Sequence, residues 1–230
     1  MKAADIMVTQ VITLRPEQTV YEAAELMVDH RISGVPVVRE DRTPVGIISE
    51  SDLMRRPEAG TQRRHSVGLP ILTGPEELAR QYVKENAYRV QDVMTRDVIT
   101  GTPETDLADI ADLLEHNRIK RVPIVAAGKV VGIVSRADLV RALVTIHKRL
   151  SAEIPASDET LREKIIERLR DQPWAAQDPI DVKVHDGKVD LSGTVDYVAQ
   201  RKALRIAAES VPGVRAIEDH IAVRPMIIGA

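Results

Sequence analysis

The chain has 230 residues, 43% hydrophobic and 29% charged, with a net charge of −3, a balance that suits a globular protein of one or two domains and lacks the basic excess of an electrostatic nucleic-acid binder. Aromatic residues make up 2%, with no Phe and one Trp, so the core must be aliphatic, and binding of single strands by base stacking is disfavoured. No Cys is present, which removes disulfides, thiol nucleophiles and cysteine-ligated metal.

The opening MKAADIMVTQ carries Asp5 where a signal peptide needs an apolar run, and no window approaches the ~18 apolar residues of a membrane span; a cytoplasmic protein is expected. V-I-T at 11–13 predicts a short strand ended by Pro16. Thr19 to His30 then carries Val20, Ala23, Ala24 and Met27 at helical spacing. V-P-V-V at 35–38 is a buried strand, with Pro36 at a start or edge where no N–H is needed. After the turn E-D-R-T-P come a second strand, V-G-I-I-S at 45–49, and a closing helix, S-E-S-D-L-M-R-R. The unit is β-α-β-β-α.

It is written twice. Aligned from Asp5 and from Asp92, about 14 of 34 positions are identical, with V-I-T, P-E, R-I and V-P in step. The copies stand 87 residues apart at Asp5 and Asp92 and 86 apart at Asp52 and Asp138, because the turn between the second copy's strands is one residue shorter. One copy is too small for a stable core, so the two should pack together as a pseudo-symmetric pair. Between them, residues 58–90 form an insert: a loop carrying Arg63, Arg64 and His65, expected to be solvated rather than phosphate-binding, and a helix over P-E-E-L-A-R-Q-Y-V-K-E-N-A-Y.

The second copy is expected to end at His147, with a polar linker at 148–156. Beyond it, Ser157 caps a helix with Leu161, Ile165, Ile166 and Leu169 on one face. I-D-V-K-V-H-D-G-K-V-D-L-S-G-T-V alternates with period two around Asp186-Gly187, a hairpin signal. A second helix begins near Asp196, and Pro212-Gly213 turns into a third strand. The tail, 157–225, is therefore αββαβ, and the chain as a whole is α+β.

The phrase S-x-x-D closes both copies, at Ser49/Asp52 and Ser135/Asp138. As a capping box it starts a helix, worth about 0.5–2 kcal/mol, and needs no ligand. The same helix start presents free N–H groups that favour a phosphate, and its carboxylate can accept hydrogen bonds from ribose hydroxyls. Nucleotide is the natural candidate on the second reading.

The duplicated H-R-I-S-G-V-P-V-V … V-G-I-I-S-E-S-D-L pattern resembles a tandem CBS-domain pair, or Bateman module, over 1–57 and 91–147. The resemblance implies two clefts between the repeats for adenine nucleotides (AMP, ADP or ATP) or S-adenosylmethionine as a regulatory ligand with no obligatory cofactor, and a disc-like homodimer. Carried over by position, the first cleft joins Ser49, Ser51 and Asp52 to Met94, Ile99, Ile119, Lys120, Arg121 and Val122. The second joins Ser135, Arg136 and Asp138 to Met7, Ile12, Ile32, Ser33, Gly34 and Val35. Lys120-Arg121 stands where the first copy has Ser33-Gly34, so the first cleft is expected to take a phosphorylated ligand, with Arg136 partly compensating in the second.

The αββαβ tail, with L-S-G-T-V at Gly193 and P-G-V at Gly213, resembles a BON domain, a bacterial module implied to contact phospholipid or a protein partner. No phosphate loop, dinucleotide fingerprint or nucleophile elbow occurs, and no two of the six His have ligand spacing. Neither a catalytic set nor a metal site is expected. The reading is a sensor that is not an enzyme; its rival is a ligand-free adaptor in which the Ser/Asp pairs are caps only.

Overall fold

The structure is a computed structural model that describes residues 1–62, 74–151, 157–170, 172–175 and 180–224. It divides into two compact units, Met1–Leu143 and Val144–Ala230.

In the first unit each repeat builds a helix and a two-stranded antiparallel ribbon. The first has α1 (Val20–Asp29), β1 (Gly34–Val38), β2 (Pro44–Ser49) and α2 (Glu50–Leu53). The insert carries α3 (Pro75–Asn86); Arg63, Arg64 and His65 lie outside the described residues. A short α4 (Val90–Val93) precedes α5 (Leu107–His116), β3 (Arg121–Ala126), β4 (Lys129–Ser135) and α6 (Arg136–Ser151). Thr19 starts α1 with a full capping box: Glu22 N–H donates to the Thr19 hydroxyl at 3.1 Å, and Thr19 N–H to the Glu22 carboxylate at 2.7 Å. The V-I-T runs at 11–13 and 98–100, expected as strands, form none; the residue after each makes a single bridge instead. Leu14 bridges β1 at Val37 and Gly101 bridges β3 at Ile124, both parallel, and Pro16 and Pro103, two residues on, cannot extend the ladder. The residue missing from the second turn leaves Ala127 and Gly128 at positive φ between β3 and β4, a tight two-residue hairpin.

Each repeat also lends its leading arm to the other. Val8 bridges Ile133 of β4 through two backbone bonds of 3.0 Å, and Thr95 bridges Ile47 of β2 through two of 2.9 Å. Ala3, Ile6 and Met7 pack in the second repeat's core beside Ile110, Leu114 and Val134, while Val90, Val93 and Met94 pack in the first beside Val20, Ala23 and Ile48. Met7 sits over Gly132 and Met94 over Gly46, where a Cβ would collide with the thioether. The two cores are thus built reciprocally.

The closing helices are unequal. Pro57 disfavours a helical Arg56, which is extended at φ −133°, so α2 stops after four residues. With no proline, α6 runs 16 residues to Ser151, past the expected end at His147. Residues 152–156 of the expected linker lie outside the described residues.

In the second unit, α7 (Asp158–Arg170), β5 (Asp181–His185), β6 (Lys188–Val195), α8 (Val198–Glu209) and β7 (Ala216–Val223) make a three-stranded sheet in the order β5-β6-β7. β5 and β6 form the predicted hairpin, with Asp186 and Gly187 at positive φ, and β7 returns parallel to β6 after the α8 crossover. Leu161, Ile165 and Leu169 of α7 and Leu204 and Ala208 of α8 bury against Val182, Val189, Leu191 and Ile221. The Asp158 carboxylate accepts the Gly187 and Asp186 N–H groups at 3.0 and 2.8 Å, bonds that hold it below the ordinary carboxylate range and pin the turn to the start of α7.

Candidate functional site

Both S-x-x-D phrases form their boxes. One Asp52 oxygen accepts the Ser49 N–H and hydroxyl, each at 2.9 Å; one Asp138 oxygen accepts those of Ser135 at 2.7 and 2.6 Å. Both carboxylates are buried, Asp52 at 8% and Asp138 at 5% exposure, and each gives its second oxygen to a cation. Asp138 pairs with Arg141 one turn along its own helix. Asp52 pairs at 3.1 Å with Lys84 of α3, a residue of the insert that the sequence did not single out.

A cavity of about 350 Å3 opens at the first phrase, within the roughly 300–1,000 Å3 of small-molecule sites. Of the expected residues, Ser49, Ser51, Asp52, Ile99, Ile119, Lys120 and Arg121 line it together. Met94 and Val122 do not: Met94 covers Gly46 in the first core, and Val122 is wholly buried in the second. Sequence reasoning missed Ile47, Lys84, Thr95, Asp97, Val98 and Arg118. Thr95 to Val98 lie between Met94 and Ile99, so the exchanged arm as a whole, rather than two residues of it, was the available signal. The Ser49 and Ser51 hydroxyls are 2.7 Å apart, and Ala137 replaces Ser51 in the other copy. Because α2 is a single turn, its macrodipole adds little, and holding an anion here falls to hydroxyls and cations.

The second cavity, about 460 Å3, is lined by Ile12, Ile32, Ser33, Gly34, Ser135 and Asp138, as expected. Met7 and Val35 are withheld, Met7 over Gly132 and Val35 fully buried. Arg136 is turned away altogether. Its Nε donates to the Ile119 carbonyl at 3.0 Å and its Nη2 to that of Leu114 at 3.1 Å, because carbonyls freed at the end of α5 lie nearer than the cleft. It therefore does not supply the compensating charge. Arg121 does. Its side chain crosses to the first repeat, donates to Ser33 Oγ, and lines both cavities. It is 9% exposed with Nη1 unpartnered, and burial draws its pKa below the ordinary value against the pull of Glu50. Arg31 and Arg141 also line the second cavity, so the cationic imbalance expected between the clefts is largely removed. Lys120, meanwhile, faces Glu50 at 3.5 Å. His30 lines the second cavity, whereas its counterpart Asn117 donates to the Leu113 carbonyl at 2.9 Å.

Two sets of hydroxyl and carboxylate groups, each facing a strand start of the opposite repeat, occupy one duplicated frame. Residues 3–59 and 90–145 each match the family model of the CBS domain, and residues 157–225 match that of the BON domain. The chain belongs to the CBS-domain family. An uncharacterized protein of Methanocaldococcus jannaschii is 35% identical over 160 residues, 63% of this chain and 92% of that protein. The chloroplastic CBS domain-containing protein CBSX1 of Arabidopsis thaliana is 33% identical over 141 residues, and this chain spans only 60% of its length. Among solved structures, CBSX2 in complex with AMP superposes with a TM-score of 0.54 at 30% identity, covering 63% of this chain and 97% of that one.

In the BON domain the basic residues of α8 are largely engaged: Arg201 pairs with Asp219 at 3.0 Å and Arg205 with Glu209 at 3.1 Å. The sheet face away from the helices is polar. Asp190, Glu218 and His220 bring potential ligand atoms within 4.8 Å there, two of the three residues being exposed, and Lys183 stands opposite Asp190 in register, as on a solvated surface. No helix among the described residues is long and apolar enough to cross a membrane.

Proposed function

We propose that the chain is a cytoplasmic regulatory protein whose CBS pair binds an adenosine-containing ligand between its repeats, AMP, ADP, ATP or S-adenosylmethionine, and whose BON domain meets a protein partner. One observation carries this: the Ser49–Ser51–Asp52 group of one repeat and the Ile119–Lys120–Arg121 strand start of the other line a single cavity of ligand size. Ribose hydroxyls are matched by Asp52, a phosphate by the paired hydroxyls with Lys120 and Arg121, and the purine by Ile47, Ile99 and Ile119. The AMP complex of a 30% identical structure supports the ligand class. A ligand that bridges both repeats shifts their arrangement only by its differential affinity for the states. Arg201 and Arg205 of α8, already paired with Asp219 of β7 and with Glu209, favour a protein contact over a phospholipid surface.

The test is thermal unfolding with each of the four ligands, in the native chain and in Asp52→Ala. Ligand at a hundred times its Kd adds about 2.7 kcal/mol, a rise of several degrees at roughly 2–4 °C per kcal/mol. A shift abolished by Asp52→Ala and largely kept in Asp138→Ala places the phosphorylated ligand in the first cleft. Equal loss in both variants removes that preference. No shift with any ligand overturns the sensor in favour of the adaptor.

A further inference from the structure

We propose that α3 is a latch on the first cleft: its Lys84 holds Asp52 in the ligand-free protein and yields its place to the ribose of an incoming ligand, releasing the helix. The inference rests on the reading of this cleft as an adenosine site and assigns the regulation of that site to a segment outside the repeats.

Three observations carry it. Asp52 Oδ2 already accepts two hydrogen bonds from Ser49, so Oδ1 is the oxygen left for ribose hydroxyls, and Lys84 Nζ stands on it at 3.1 Å. Ligand and lysine compete for one acceptor. The second repeat is an internal control. There the cation on Asp138 is Arg141, from the same helix. Arg55, the equivalent residue of the first repeat, is instead drawn to the Thr61 carbonyl at 3.3 Å, and the vacancy on Asp52 is filled from 32 residues away by the insert. Finally, α3 buries no residue. A helix without a buried face has little tertiary stabilisation, so its ion pair to a buried carboxylate weighs heavily in where it rests. The roots of the insert are separately secured: Arg56 donates to the Ala87 carbonyl at 2.9 Å and to Glu58 at 2.8 Å. Release of Lys84 would therefore free the helix and leave its attachment to the repeats in place.

The absence of native Cys allows a single nitroxide to be placed at the exposed Ala79 of α3 through Ala79→Cys. Its spectrum is recorded with and without AMP and adenosine, in chains with Lys84 and with Lys84→Met. Without ligand, Lys84→Met should narrow the lines as α3 is freed; unchanged lines overturn the latch. Saturating AMP or adenosine should narrow the lines of the Lys84 chain in the same way; unchanged or broadened lines overturn it. Adenosine, which has no phosphate to attract the lysine, should bind Lys84→Met about two- to five-fold more tightly, the scale of a half-exposed ion pair; equal or weaker binding overturns the competition. If neither compound gives a thermal shift, the adenosine reading fails and the release step with it, while the ligand-free comparison still reports whether Lys84 holds α3.

Discussion

Gly34 and Arg121 hold equivalent positions in the two repeats and meet between the clefts. A Cβ on Gly34 would collide with Arg121 Nη1 and come within 2.8 Å of the Ile48 carbonyl oxygen, so one copy keeps a hydrogen where the other has a guanidinium. Gly34→Ala should destabilise the first unit by about 1–3 kcal/mol, the usual cost of overpacking, read as a fall of several degrees in its melting temperature. Arg121→Ala in the same chain should recover only part, because the Ile48 carbonyl remains. A Gly34→Ala chain that melts like the native one refutes the close approach. At this scale the sequence was legible where interactions are local. Ser49, Asp52, Ser135 and Asp138 take the geometry their spacing dictates, since a capping box spans four residues. Lys84, Arg121 and Arg136 were not legible in the same way: long cations go to whichever carbonyl or carboxylate the tertiary fold brings near, and equivalent sequence positions do not share that choice.

Among elements, the duplicated ribbons and their helices follow from periodicity and the turn residues, while the lengths of the closing helices follow from one proline. Pro57 was in plain view, and α2 could have been cut short on that ground alone. Freed of such a stop, α6 leaves Val140 and Leu143 exposed at 62% and 65%, an apolar pair at helical spacing that water covers poorly. The homodimer expected from the sequence would gain by covering it. Leu143→Glu should then convert a dimer to a monomer in sedimentation velocity with no loss of secondary structure. A native chain that sediments as a monomer at high micromolar concentration would sink the dimer.

For the molecule as a whole, two units with separate cores should unfold in two calorimetric transitions, and AMP should raise the one that belongs to Met1–Leu143 and leave the other in place. A single transition that moves as one with ligand would refute this independence. What the sequence hid at this scale is the exchange of arms, because pairing of Val8 with Ile133 and of Thr95 with Ile47 joins segments that no periodicity links. That exchange, taken with Gly34 and Arg121, fixes how the duplicated halves depend on each other. Two first repeats brought about the same axis would meet with two hydrogens and leave a void, and two second repeats would drive two guanidiniums into one space. Neither half fits a second copy of itself as it fits the other, so one hydrogen facing one guanidinium makes each repeat the specific mate of its neighbour.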